Sequence, residues 1–430
     1  MSWVDTYNQK RLSVEEAAAK IESGDRVYVS PCTATPVQLL EALADRVGEL
    51  RNVDVVSGLL MHPFKILQSP DYAGRINYHT IFYGPYERAF FRAGNVTINS
   101  VHFSKAHLAL QNYHKVNVMM ADVSAPDEEG YLYYGPLGVA VNKGARDVVE
   151  KIIVQVNRHQ PKVDGIHHRI HVSEVDWLCE HDHPLPALAQ DAPTETDNKI
   201  AGHIVPMIPD GSTIQIGLGS VSDAVGLQLV EKKNLSVHTE MFTDSMLALY
   251  KKGVINGSMV AGFILGSNEL HEFAAEGKIK LKPLSITNDP REIAKIDQLM
   301  SINVTLMVDL TGQACSESVG FHQYSATGGQ GDFTRGAAFS KGGKSFLCLP
   351  STVKMKDGGI RSTIMSALPP GAAVTTPRSD IMYVVTEYGV ADLFCKPIVE
   401  RVKALISIAH PDFRESLTRE AIEAGLIRAN

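Results

Sequence analysis

Glu240 sits in SVHTEMFTDS, residues 236–245, where the strand-like run LSVHT gives way to polar residues. A glutamate on a surface needs no explanation. One at the end of a buried strand is placed for chemistry, as acid, base or nucleophile. A rival, Glu387, ends the β-rich run YVVTE within YVVTEYGVADL, residues 383–393. Two glycine-rich stretches are candidates to serve such a carboxylate. In IGLGSVSDAVG, residues 216–226, a strand gives way to a helix. Small residues there let backbone approach a ligand, and a helix N-terminus favours negative charge. Gly217 and Gly219 match the start of a dinucleotide fingerprint, but Ser222 stands where the third glycine belongs. A tight turn and an oxyanion or phosphate cradle are the other readings. SATGGQGDFTRGAAFSKGG, residues 325–343, is either a surface loop or backbone shaped for close contact. Beyond the strand-like SFLCLPST lie Lys354 and Lys356, which are either solvated or paired with a phosphorylated ligand.

Between residues 165 and 184 stand His167, His168, His171, Cys179, His181 and His183. Their spacing fits no standard zinc pattern, so they read as polar surface or interface residues and no metal is expected. No Gly-x-Ser-x-Gly elbow and no Walker lysine loop occurs.

These residues need a scaffold, and the chain shows one twice. IESGDRVYVSPCTATPVQLLEALADR from Ile21 matches IPDGSTIQIGLGSVSDAVGLQLVEK from Ile208 in kind: glycine turn, apolar strand, small-residue loop, amphipathic helix. Four further pairs follow in the same order. RNVDVVSGL from Arg51 answers KNLSVHTEM from Lys233, and RINYHTIFYG from Arg75 answers GSMVAGFILG from Gly257. VNVMMADVSA from Val116 answers INVTLMVDLT from Ile302, and KIIVQVN from Lys151 answers KSFLCLP from Lys344. Strand-like runs alternate with helical patterns such as VQLLEALADRV, which predicts an α/β fold of two similar domains with mostly parallel sheets. Ligands bind such sheets beyond the carboxyl ends of the strands. Gly58 is the counterpart of Glu240, so one copy alone carries the carboxylate. The Pro- and Ala-rich stretch 183–199 predicts the boundary, with domains at 1–190 and 191–430.

The 430 residues, 44% hydrophobic and 21% charged, suit an ordered protein of two or three domains. A net charge of −7 gives no footprint for nucleic acid. The N-terminal segment lacks signal-peptide features, and no apolar run is long enough to span a bilayer. Five scattered cysteines fit a reducing cytoplasm.

Taken in order, GLGSVSDAV, HTEMFTD, GGQGDF and VVTEYGVADL resemble the family I coenzyme A transferases. The resemblance is to the branch of acetyl-CoA hydrolases/transferases and of 4-hydroxybutyrate and butyrate CoA-transferases, and it covers nearly the whole chain. It implies two similar α/β domains with an active site between them, and Glu240 as a covalent nucleophile that carries CoA as a glutamyl thioester. It also implies CoA or oxyanion contacts from Gly217, Leu218, Gly219, Ser220 and Val221, with the Leu218 N–H as one donor and the Gly329 N–H as a second. Lys354 is the candidate for the CoA phosphates or pantetheine arm. The family reads closer to Lys-Gly-Gly where this chain has VKMKDGGIRS, so Lys356 is an alternative. Glu387 reads as structural or CoA-supporting. FCKP after TEYGVADL departs from the pattern and puts Phe394 and Cys395 near a surface that shapes acyl or CoA binding. No permanently bound cofactor is expected; CoA is substrate and covalent intermediate. The partners are acyl-CoA and short-chain carboxylic acids, with no nucleic acid and no membrane, in a homo-oligomer. A hydrolase on the same site, or a catalytically silent CoA-binding protein, are the alternatives. His62, Phe64, Tyr83, Tyr86 and Arg92 are candidates to line an acyl pocket, with core packing the other reading of the aromatics.

Overall fold

The computed structural model describes residues 2–188 and 192–429. Its first sheet uses the predicted apolar runs: β1 Arg26–Val29, β2 Val53–Ser57, β3 Ile76–Thr80, β4 Val96–Ile98, β5 Val118–Val123, β6 Lys151–Val156 and β7 Trp177–Glu180. The spatial order is β4-β3-β2-β1-β5-β6-β7, and every pairing is parallel. All six residues of β5 are buried, as expected for a central parallel strand covered on both faces.

The second sheet comprises β8 Thr213–Ile216, β9 Leu235–Phe242, β10 Ile255–Ile264, β11 Lys280–Leu281, β12 Leu299–Val304, β13 Lys344–Cys348, β14 Tyr383–Thr386 and β15 Gly389–Asp392. Its order is β11-β10-β9-β8-β12-β13-β14-β15. The first seven repeat the order of the first sheet, and β15 adds an antiparallel edge. The duplication is therefore a property of the fold.

Ladder register tests the pairing residue by residue. Val27 faces Val55 in one sheet and Ile214 faces Val237 in the other, which puts Gly58 where Glu240 stands. Val27 also faces Val118, and Ile214 faces Met300. Val118 thus corresponds to Met300, which corrects the match of Val116 to Ile302 by four residues. The run VTLMV misleads because it is apolar, but the chain leaves the sheet after Val304. Met307–Asp309 joins a separate three-stranded sheet instead.

The chain forms two compact units. The first is Met1–Ala189 with Met241–Thr243 and Met259–Thr287; the second is Gln190–Glu240, Asp244–Ser258 and Asn288–Asn430. The boundary expected at 190/191 lies outside the described residues. Helix Val37–Asp45, predicted from its periodicity, buries Leu39, Leu40, Leu43 and Ala44. One core of the second unit gathers Leu347, Leu349 and Val384 with Val402 and Leu405 of helix Ile398–Ile408. Among the described residues no helix is long and apolar enough to cross a membrane.

Candidate active site

Glu240 lies inside β9, two residues from its end, rather than just beyond the strand. The Leu265 N–H donates to the Phe242 carbonyl at 3.2 Å and holds the strand's last residue in place. Three groups of the second unit meet the Glu240 carboxylate. Asn288 follows helix Leu284–Thr287 and is itself fully buried; its Nδ2 donates to Glu240 Oε2 at 2.6 Å. Gly329 caps the N-terminus of helix Gln330–Phe339. A Cβ there would fall on Glu240 Oε2 and Asn288 Nδ2, so only glycine admits this arrangement. Asp332, in the first turn of the same helix, is 4% exposed. Two residues before Glu240, the His238 ring meets Phe333 of that helix edge-on, with centroids 6.2 Å apart.

This setting decides the protonation of Glu240. Some of the residue reaches solvent, but its carboxyl is surrounded mostly by protein atoms. Burial pushes its pKa up to about 7; the Asn288 bond works against the shift and the Asp332 charge adds to it. The sequence suggests an ordinary carboxylate, fully ionised at pH 7. The structure instead holds this carboxyl group poised near neutrality.

The glycine stretch at residues 216–226 has the strand, turn and helix expected of it. β8 ends at Ile216, Gly217 to Gly219 turn the chain, and helix Ser220–Gln228 follows. Gly219 has φ +123°, which L side chains rarely adopt, and Val304 lies 3.2 Å from where its Cβ would be. Leu218 is exposed, Ser220 half-buried and Val221 buried. Within the helix's first turn Asp223 is pushed up to about 6, by burial first and by the Asp244 charge second.

Other candidates fall elsewhere. Lys354 and Lys356 are exposed on the hairpin of Thr352–Lys354 with Ile360–Ser362. The Glu387 carboxylate is held by Ser351, which donates its N–H at 2.9 Å and its hydroxyl at 2.6 Å. That bond pair ties the end of β14 to the chain leaving β13. Phe394 and Cys395 are both exposed. Phe64 and Tyr83 are buried, Tyr86 and Arg92 exposed, and His62 half-buried. The histidines disperse: His171 caps a short helix while His183 pairs with Asp122 at 3.3 Å. Among the described residues no three metal-ligating side chains converge.

Sequence reading missed Asn288 and Asp332. Asn288 stands in SITNDPRE, which reads as a helix stop and start, and Asp289 does cap the next helix. Nothing in that spacing announces a partner 48 positions away.

Comparison with known proteins places the chain in a family. Residues 1–189 match the acetyl-CoA hydrolase/transferase N-terminal domain and residues 266–421 the C-terminal domain. Succinyl-CoA:cyclohexane-1-carboxylate CoA transferase of Geobacter metallireducens is 39% identical over 98% of this chain and 97% of its own. 4-Hydroxybutyrate coenzyme A transferase of Clostridium kluyveri is 36% identical over 98% and 99%. The crystal structure of RipA from Yersinia pestis superposes with a TM-score of 0.92 at 34% identity, covering 99% of this chain and 100% of RipA. Acetyl-CoA hydrolase of Eremothecium gossypii is more distant, 26% identical over 70% of this chain and 64% of its own. With both domain signatures in place and full-length relatives above 30% identity, the chain belongs to the acetyl-CoA hydrolase/transferase family.

Proposed function

We propose that this protein transfers CoA between an acyl-CoA and a short-chain carboxylic acid, with Glu240 as the covalent carrier. The observation that carries the reading is the constellation at Glu240: a buried carboxylate, one oxygen held by Asn288, seated on a glycine at a helix N-terminus. A glutamate oxygen adds to the thioester carbonyl; the C–S bond breaks, releasing CoA thiolate and leaving an acyl-glutamyl anhydride. The thiolate then adds to the glutamyl carbonyl carbon, the anhydride C–O bond breaks, and the first carboxylate leaves. The glutamyl-CoA thioester remains. An acceptor acid reverses both steps and departs as the new acyl-CoA, so the kinetics are ping-pong. Each addition forms a tetrahedral oxyanion, for which the N–H groups of Leu218 and Gly329 are the proposed donors. Burial of Glu240 protects the hydrolysable intermediates from water. The test is to mix protein with acetyl-CoA or butyryl-CoA, quench, digest and weigh the peptides. A CoA adduct on the peptide bearing Glu240 supports the reading; turnover with no adduct there refutes it.

Transfer is favoured over hydrolysis because the full-length relatives are named transferases, whereas the hydrolases match less of the chain. Acceptors in the acetate to butyrate range, including hydroxy and unsaturated C4 to C5 acids, are proposed. A homo-oligomer in the cytoplasm is also proposed; the free state of all five cysteines supports a reducing compartment.

Two predictions follow from this site. Asn288→Ala removes the bond that favours the ionised glutamate, so the rising limb of the pH–rate profile moves to higher pH. At pH 7 the rate of adduct formation falls about 10-fold, and part is regained at pH 9. An unshifted limb would separate Asn288 from the ionisation of Glu240. If Lys354 and Lys356 serve the CoA phosphates, Lys354→Ala/Lys356→Ala raises KM for acyl-CoA by about 5- to 30-fold with kcat little changed, and the deficit shrinks at high salt. An unchanged KM at low ionic strength would remove the hairpin from the CoA site.

A further inference from the structure

Beneath the Gly217 turn lies a buried polar triad that the catalytic account above does not use. Gln215 and Ser301 are register partners on β8 and β12, and Asn303 is two residues further along β12 on the same face. All three are buried, at 2%, 0% and 8% exposure. The Ser301 hydroxyl donates to Gln215 Oε1 at 2.7 Å. Asn303 Nδ2 donates to Gln215 Oε1 and to Ser301 Oγ, both at 3.0 Å, and Gln215 Nε2 donates to Asn303 Oδ1 at 3.2 Å. The amide of Asn303 is thereby fixed in one orientation. Its Oδ1 lies 2.6 Å from where a Cβ on Gly217 would stand, so the amide is the floor on which the turn rests. The Gly217 N–H is meanwhile tied to the Ile302 carbonyl at 2.8 Å.

The duplication supplies an internal control. By ladder register, Gln215, Ser301 and Asn303 correspond to Tyr28, Met119 and Ala121 of the first sheet, and Gly217 corresponds to Ser30. Those three positions are also fully buried, but two hold apolar residues and the third is a tyrosine whose hydroxyl turns to Asn142 Oδ1 at 2.8 Å, an acceptor it shares with Ser30. Met119 and Ala121 offer it no partner, so no side-chain network joins the two strands at these positions in the first copy. The triad that bridges the strands belongs to the copy that has Glu240 in place of Gly58. A buried polar network is hard to satisfy and specifies one geometry when it is satisfied.

We infer that Asn303, locked by Gln215 and Ser301, is a positioning residue that sets the height of the Gly217–Gly219 turn and so aims its N–H groups at the reacting carbonyl. The inference rests on the proposed role of that turn as an oxyanion or CoA cradle. It predicts coupling between floor and turn. Asn303→Ala and Gly217→Ala should each slow glutamyl-thioester formation by about 10- to 100-fold in single-turnover mixing with butyryl-CoA. The double variant should be no slower than Gly217→Ala alone, because removing the amide makes room for the added methyl. Asn303→Asp, measured alongside, keeps the volume but loses both donated bonds. Its rate relative to the parent protein should recover as pH falls and the new acid regains a proton to donate. The effect should fall on the rate at saturation and leave the half-saturating acyl-CoA concentration within about 3-fold. Thermal melts confirm that each variant is folded. Multiplying single-variant effects, or folded Asn303 variants that keep the parent rate, would overturn the inference. Failure of the parent protein to form any adduct would instead overturn the function on which it rests.

Discussion

Glu240→Gln abolishes CoA transfer, with turnover lower by at least about 10³-fold and no CoA adduct on the peptide that carries position 240. The substitution keeps the size of the side chain and leaves the Asn288 amide an oxygen to bond, so acyl-CoA still binds. What is lost is the oxygen nucleophile: no anhydride forms, and the amide carbonyl carbon is not activated to receive CoA. The same variant also tests the ionisation of the site. Burial raises the Glu240 pKa from an ordinary 4.5 to about 7. The folded protein therefore holds this proton more tightly than the unfolded chain does. Stability associated with it is fully present below pH 4.5 and is lost as pH rises towards 7, where the glutamate must ionise in place. Glutamine escapes that cost, and Glu240→Gln should melt higher at pH 8, by an amount equivalent to about 2–3 kcal/mol, with little difference at pH 4.5. Melting curves at the two pH values decide it. A gain of equal size at both would mean that better packing, not ionisation, stabilises the variant. Turnover of the parent protein should correspondingly rise with pH through 7, since the ionised form attacks.

How much of this could be read from the chain depends on whether the determinant is local. β2 and β9 follow from apolar runs, and the position of Gly58 opposite Glu240 follows from matching them, because parallel pairing preserves spacing within a strand. The turn at Gly217 was equally legible, since a strand, two glycines and a helix lie in eleven consecutive residues. Register failed at β12, where Thr305 to Val308 continues an apolar run that the tertiary structure assigns to another sheet. The partners of Glu240 were hidden for a different reason. Asn288 and Asp332 reach it from segments whose local signals, a helix stop and a first-turn acid, are complete explanations in themselves. Nor does sequence betray the pKa of Glu240, which is set by what surrounds the carboxyl in space. The buried triad beneath Gly217 became interpretable only when the two sheets were laid in register.

Gly329→Ala is expected to inactivate the protein while leaving it folded. The reason is steric and confined to one atom. At φ −101° and ψ 0° the backbone of Gly329 is open to any residue, so alanine brings no conformational strain. The added methyl, however, would occupy the space of Glu240 Oε2 and Asn288 Nδ2 at once. Helix Gln330–Phe339 cannot simply retreat, because Ile293 packs where a Cβ on Gly336 would stand and Phe333 is buried beside it. The carboxylate must then leave its bond to Asn288, and adduct formation should fall by about 10²- to 10³-fold, since a displacement of about an ångström at a reacting group costs that much. Gly328, its neighbour, provides the contrast. Its φ of +61° makes alanine strained by about 1 kcal/mol. Gly328→Ala should therefore lower the melting temperature more than the rate, and Gly329→Ala the rate more than the melting temperature. Two adjacent glycines would thus separate the two reasons for which a chain uses the residue. Adduct formation by Gly329→Ala within about 3-fold of the parent protein would show that Glu240 is free to react away from Asn288, and the proposed constellation would have to be redrawn.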